Sequence, residues 1–136
     1  IAKAIKRDYS AFSLTVDLSH IPLIFEDPIY VLRLLAPFIG HVHIGNCILD
    51  KKNPYYGDNH PRFGVQGGCI NFQEVAKFLL ELEKIGYFNQ QTMTERPVIS
   101  FEIKPLPNEN SDLVITNAKR TFLTAINLAY SQYKRG

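Results

Sequence analysis

A chain of 136 residues, 46% of them hydrophobic, has enough apolar material for one ordinary domain with a real core. Its formal net charge of +2 comes from 15 basic and 13 acidic residues spread along the chain, which leaves no single-sign stripe for a polyanion and argues against nucleic acid as a partner. No window approaches the ~20 consecutive apolar residues of a membrane span and no charged-then-apolar leader opens the chain, so a soluble protein with no membrane partner is expected.

Ala2, Ile5 and Tyr9 can share one side of a short leading helix. Because Ile1 opens the chain inside what reads as the end of a helix, a segment upstream is expected. Phe12 to Val16 reads as a buried strand that stops at Asp17. Asp27 is placed to cap the next helix, with Pro28 in its first turn, where a missing N–H is harmless, and Pro37 closes it. Phe38 to Ile44 is a β-rich run that sets His41 and His43 on one side of a strand, bracketed by Ile39 and Val42.

The stretch from Gly45 to Ile70 is rich in Gly, Pro, Asn and Asp, and a compact domain keeps so long a loop for a functional reason. It contains both cysteines, Cys47 and Cys69, which lack CxxC spacing and suit a reducing, cytoplasmic setting as two ordinary thiols. Asn71 to Glu74 has capping-box spacing ahead of Val75, Phe78, Leu79, Leu82 and Ile85 at helical intervals, and Gly86 supplies the stop. Arg96 to Glu102 is a further strand, broken by Lys104-Pro-Leu-Pro107. Ser111 or Asp112 is expected to cap a last helix with Val114, Ala118, Phe122, Ala125 and Ala129 on one face and Lys134-Arg135 as a basic end.

Nearly continuous apolar strands alternating with helices predict an α/β fold, a single domain over residues 1–136 whose parallel sheet is covered on both faces. Three βα units alone would leave sheet edges exposed, so the pattern reads as part of a larger barrel.

Asp17, His41, His43 and Glu102 fall at or just past the C-terminal ends of the predicted strands, which in a parallel α/β sheet converge on the active-site face. Each also has a plain structural reading. Asp17 can cap a turn with His20 on the surface, the two strand histidines can be hydrogen-bonded core residues, and Glu102 can pair with Lys104 or an arginine. A mixed carboxylate and imidazole set suits Mn²⁺, Zn²⁺, Co²⁺ or Mg²⁺, and the absence of clustered thiols argues against a structural zinc finger. In the loop, Asp58 and His60 can hold a second metal or reach substrate oxygens, although Gly57-Asp58-Asn59 is also ordinary turn chemistry. Arg62 is the loop cation placed to meet an anionic substrate group, the plainer reading being a solvated arginine.

Four runs, Leu14-Thr-Val-Asp-Leu-Ser-His20, His41-Val-His-Ile-Gly45, Gly57-Asp-Asn-His-Pro-Arg-Phe-Gly64 with Gly67-Gly68, and Ile99-Ser-Phe-Glu-Ile-Lys-Pro105, together resemble the xylose-isomerase-like TIM-barrel superfamily. That superfamily includes ketose 3-epimerases, other sugar-phosphate isomerases and epimerases, and nucleases of the AP-endonuclease type. The resemblance covers nearly the whole chain and implies the C-terminal three βα units of a (β/α)₈ TIM barrel, a partial barrel whose upstream half is absent. It implies a metal held by Asp17, His43 and Glu102, with one more glutamate upstream. It also implies that His20 contacts substrate oxygens and that Glu102 is one of two carboxylates moving a proton next to a carbonyl, through a metal-stabilised enediolate.

On this reading the substrate is a sugar or sugar phosphate, met by His20, His41, Arg62 and Lys104, in cytoplasmic carbohydrate metabolism. A homo-oligomer is compatible with it, and the piece alone is expected to have little activity. Leu49 stands where ketose epimerases often carry an arginine, which weighs against a free-ketose 3-epimerase. The nuclease branch implies a competing reading in which Asp58 and His60 match an Asp-x-His pair that ligates a multi-zinc cluster for phosphodiester hydrolysis; a catalytically inactive barrel member is the third.

Overall fold

In the computed structural model, which describes residues 1–89 and 97–134, local capping chemistry sets most helix starts. The elements in chain order are α1 (Ala2–Asp8), β1 (Leu14–Asp17), α2 (Pro28–Leu35), β2 (Ile39–Gly45), α3 (Phe72–Lys84), β3 (Val98–Glu102) and α4 (Ser111–Tyr133). Helix α2 starts where the Asp27 carboxylate accepts the Tyr30 amide at 2.7 Å, with Pro28 in the first turn. Pro37 lies in a single 3₁₀ turn, Ala36–Phe38, that follows the helix end.

Helix α3 starts where the Asn71 side chain accepts the amides of Gln73 and Glu74 at 2.9 and 3.1 Å. The Glu74 carboxylate turns instead to Lys77 at 2.9 Å, so only half of the capping box forms. Val75, Phe78, Leu79 and Leu82 are buried as the periodicity requires, and Gly86 takes φ +78°, a left-handed conformation that glycine adopts without strain. For α4 the expected cap is corrected. Asn110, one residue earlier, accepts the amides of Asp112 and Leu113, while Ser111 is already helical. Val114, Ala118, Ala125 and Ala129 are its buried positions. Arg96, expected to open the last strand, and Arg135 lie outside the described residues.

The three strands form one parallel, open sheet in the order β1-β2-β3. Val16, Val42 and Ile44 enter a single core with Leu32 of α2, Phe78 and Leu82 of α3, and Ala118 and Ala125 of α4. Alternation along each strand puts Thr15, Asp17, His41, His43, Ser100 and Glu102 on the opposite face, in register as Thr15 with His41, Asp17 with His43 and His43 with Ser100. The expectation of nearly continuously apolar strands is corrected: Thr15, Asp17, His41, His43, Ser100 and Glu102 interrupt them with polar or ionisable side chains on one face, whereas Val16, Val42 and Ile44 on the other enter the core. The outer edges of β1 and β3 pair with no strand among the described residues.

Two long-range contacts fix the sheet ends. Tyr87 is fully buried and its hydroxyl donates to the Val98 carbonyl at 2.7 Å, locking the start of β3; burial pushes this phenol up from its ordinary value. After β2 the chain forms a long loop without helix or strand, yet it is ordered by antiparallel bridges from Ile48 to Gly57 and Gly68. The wholly buried Asn46 side chain accepts the amides of Cys47 and Ile70, both at 2.9 Å, and donates to the Arg62 carbonyl at 3.1 Å, tying the two ends and the middle of the loop together. Among the described residues no helix is long and apolar enough to cross a membrane.

Candidate metal centre

Asp17 is the last residue of β1, His43 lies beside it in β2, and Glu102 ends β3 opposite Gly45. The strand ends thereby gather two carboxylates and an imidazole. His43 Nδ1 is 2.6 Å from Glu102 Oε2 and 3.7 Å from Asp17 Oδ2. Donor atoms of the three residues all lie within 4.8 Å of one another. Asp17 Oδ1 is well satisfied, accepting the Ser19 amide at 2.7 Å and the Ser19 hydroxyl at 2.6 Å. Asp17 Oδ2 is buried with no hydrogen-bond partner among the described residues.

An unpaired buried acceptor costs about 1–3 kcal/mol, more when charged, and a cation at that point would offset it. Burial pushes the Asp17 carboxyl up, but the facing Glu102 carboxyl, the Ser19 hydroxyl and amide and the nearby His20 together hold it below the usual carboxylate range. Asp17 is thus an anion over the physiological range.

A second group lies alongside. His60 Nε2 is 2.7 Å and His20 Nε2 is 2.9 Å from the same Asp58 Oδ1, and the two rings stand 5.3 Å apart. His60 Nδ1 is 3.1 Å from the Ser19 hydroxyl, and its Nε2 is 3.6 Å from Glu102 Oε1. Donor atoms of Asp17, His20 and His60 also fall within 4.8 Å of one another, so Asp17 belongs to both groups. His60 holds φ +45°, a left-handed conformation that costs a non-glycine residue about 1–3 kcal/mol. Its carbonyl accepts the Lys104 amide at 2.7 Å, which pins this strained turn against the end of β3.

The remaining candidates stand apart from this cluster. His41 Nε2 is 2.8 Å from the Ser100 hydroxyl and its ring meets His43 edge-on at 4.7 Å, so it has the hydrogen-bonded partner that a strand histidine needs. Arg62 donates to Glu109 at 2.7 Å and to the Phe63 carbonyl, so its guanidinium is paired within the chain. Lys104 is exposed, and its contact with the cluster is through its amide.

Two residues that sequence reasoning passed over matter here. Ser19 is 1% exposed and bridges Asp17 to His60; the signal for it was a hydroxyl two residues after a strand-end aspartate. Gly45 is the other, since a Cβ there would stand 2.7 Å from the Glu102 carbonyl oxygen and 3.1 Å from Ser19. The approach of β3 to the site requires a residue with no side chain at that point.

Two carboxylates and an imidazole around a buried unpartnered oxygen make a donor set that fits a divalent cation such as Mn²⁺, Zn²⁺, Co²⁺ or Mg²⁺. No protein-family model matches this chain, and no curated protein matches it.

Proposed function

We propose that the protein is a metal-dependent isomerase or epimerase acting on a sugar or sugar phosphate, built as the C-terminal part of a (β/α)₈ barrel. The observation that carries this reading is the convergence of Asp17, His43 and Glu102 at the ends of three adjacent parallel strands, with Asp17 Oδ2 buried and unpartnered. A parallel sheet with one face in the core, its ionisable residues on the other, and edges that pair with no strand among the described residues is what a segment of barrel wall would present. The resemblance of the three strand-end runs and the loop run to xylose-isomerase-like barrels supports the reaction class.

A divalent ion held by Asp17, His43 and Glu102 would supply positive charge for a carbonyl oxygen as negative charge develops on it. The chain's own residues divide the remaining work. Asp17, buried and held low, serves as a permanent anionic ligand, with Ser19 fixing its orientation. Glu102 is 40% exposed along its side chain and is the carboxylate that can reach a substrate carbon and take its proton. His20, half exposed at the rim, offers Nε2 to substrate oxygens.

Metal analysis and solvent-deuterium exchange test this together. In the full-length protein a single divalent ion per chain is expected, with exchange at the carbon next to the carbonyl of a ketose, an aldose or one of their phosphates, lost in Glu102→Gln. Metal-loaded full-length protein that exchanges no sugar overturns the reading.

A second reading, phosphodiester hydrolysis by a multi-metal cluster, is favoured by one observation: His20, Asp58 and His60 converge beside the first group and share Asp17 with it. It requires two or more zinc ions and cleavage of a duplex bearing an abasic site.

A further inference from the structure

We propose that Cys47 and Cys69 form a redox modification site, a thiol pair that a hydroperoxide converts to an intramolecular disulfide at the base of the loop carrying Asp58 and His60. Both cysteines are free, and although 22 residues separate them, their sulfur atoms lie 3.1 Å apart. The backbone holds them there. They flank the antiparallel bridge between Ile48 and Gly68, the Cys69 amide donates to the Cys47 carbonyl at 3.0 Å, and the Asn46 side chain binds the amides of Cys47 and Ile70. A disulfide needs an S–S distance of about 2.0 Å, and the two sulfurs already lie at 3.1 Å.

The two sulfurs differ in a way that assigns their roles. Cys47 is 1% exposed and cannot meet an oxidant first, whereas Cys69 is half-buried and reaches the surface. The contact with Cys47 lowers the Cys69 thiol against the opposing effect of burial, which favours its thiolate. The same contact, with burial, pushes the Cys47 thiol up, which keeps it protonated.

The Cys69 thiolate attacks the peroxide; an S–O bond forms, the O–O bond breaks and hydroxide leaves, giving a sulfenic acid. Cys47 then attacks that sulfur; the S–S bond forms, the S–O bond breaks and water leaves with the Cys47 proton. The sulfur pair loses two electrons and the hydroperoxide gains them.

The test is hydrogen peroxide in small excess on the intact protein at neutral pH, followed by thiol titration and non-reducing peptide mapping. Both thiols should disappear together, with a Cys47–Cys69 cross-linked peptide lighter by two hydrogens, no covalent dimer, and full recovery on adding dithiothreitol. In Cys47→Ser, Cys69 should stop at the sulfenic acid and be trapped by dimedone. In Cys69→Ser, oxidation of Cys47 should slow by roughly tenfold or more. The proposal is overturned if wild-type Cys69 proceeds to the sulfinic acid with Cys47 still free, or if Cys69→Ser leaves Cys47 reacting as fast as before.

Discussion

His43 Nδ1 lies 2.6 Å from Glu102 Oε2, a contact made between two strands and therefore dependent on how closely β3 lies against β2 at their ends. Gly45 sets that closeness. A methyl group at position 45 would stand 2.7 Å from the Glu102 carbonyl oxygen, a backbone atom that cannot rotate away. Gly45→Ala should therefore destabilise the fold by about 1–3 kcal/mol and weaken divalent-metal binding at the same time. Urea unfolding and metal titration check the two effects; a variant with wild-type values for both would mean that the strand ends have slack at this point.

Ser19 acts at one remove, orienting Asp17 through a 2.6 Å bond and meeting His60 at 3.1 Å. Ser19→Ala leaves the amide bond to Asp17 Oδ1 and removes the hydroxyl from both partners. Affinity for Mn²⁺ or Zn²⁺ should fall roughly 10-fold, as for other groups that orient a ligand, while stability changes by only about 1 kcal/mol. Isothermal titration beside a denaturation curve separates the two. A large loss of stability with unchanged affinity would make Ser19 a core residue and nothing more.

What could be read from the sequence was local. The caps Asp27 and Asn71 act on amides two or three residues away, and the buried face of α3 follows a simple period, so both needed only a short window. Asp17, His43 and Glu102 were readable because strand ends in a parallel sheet meet whatever the rest of the chain does. The pairings of His41 with Ser100 and Arg62 with Glu109 span 59 and 47 residues and depend on register and loop path, for which no local signal exists. The cap of α4 failed for a different reason. Asn110, Ser111 and Asp112 are three good capping residues in a row, so the local sequence does not select among them. The polar face was legible only within β2, where His41 and His43 stand two apart; their alignment with Asp17 and Ser100 depends on strand register.

The link between α2 and α3 gives a pH prediction. The Glu81 carboxylate, 5% exposed, accepts two hydrogen bonds from Arg33 at 2.5 and 3.1 Å. These bonds hold Glu81 below its usual range despite burial, which acts the other way. A carboxyl lowered on folding contributes stability above its unfolded value, about 4.3, and loses it as pH falls through the folded value. The Arg33 side chain is 62% exposed, so water already screens the pair. Glu81→Gln should thus cost about 1 kcal/mol at pH 7, and the difference from wild type should shrink below about pH 4. Asp17 is also held low but titrates in both proteins, so the difference isolates Glu81. Denaturant midpoints at pH 7 and pH 3 decide it, and a gap of constant size would assign the effect to packing.

His60 offers the sharpest separation between the two functional readings. Asp58 Oδ1 lies 2.9 Å from His20 Nε2 and 2.7 Å from His60 Nε2, and the Asp58 side chain is 64% exposed, so water can solvate this trio without an ion. Asp17 Oδ2, by contrast, is buried with no hydrogen-bond partner among the described residues. The first cation should therefore go to Asp17, His43 and Glu102, and Asp17→Asn should abolish binding. His60→Ala should leave the metal content per chain unchanged and reduce affinity by less than about tenfold, since it removes a neighbour of Ser19 and Glu102 but no ligand of that ion. Elemental analysis after dialysis against Zn²⁺ measures this directly. If wild-type protein holds two zinc ions and His60→Ala only one, the trio is itself a metal site, and the multi-metal hydrolase becomes the better reading of the cluster.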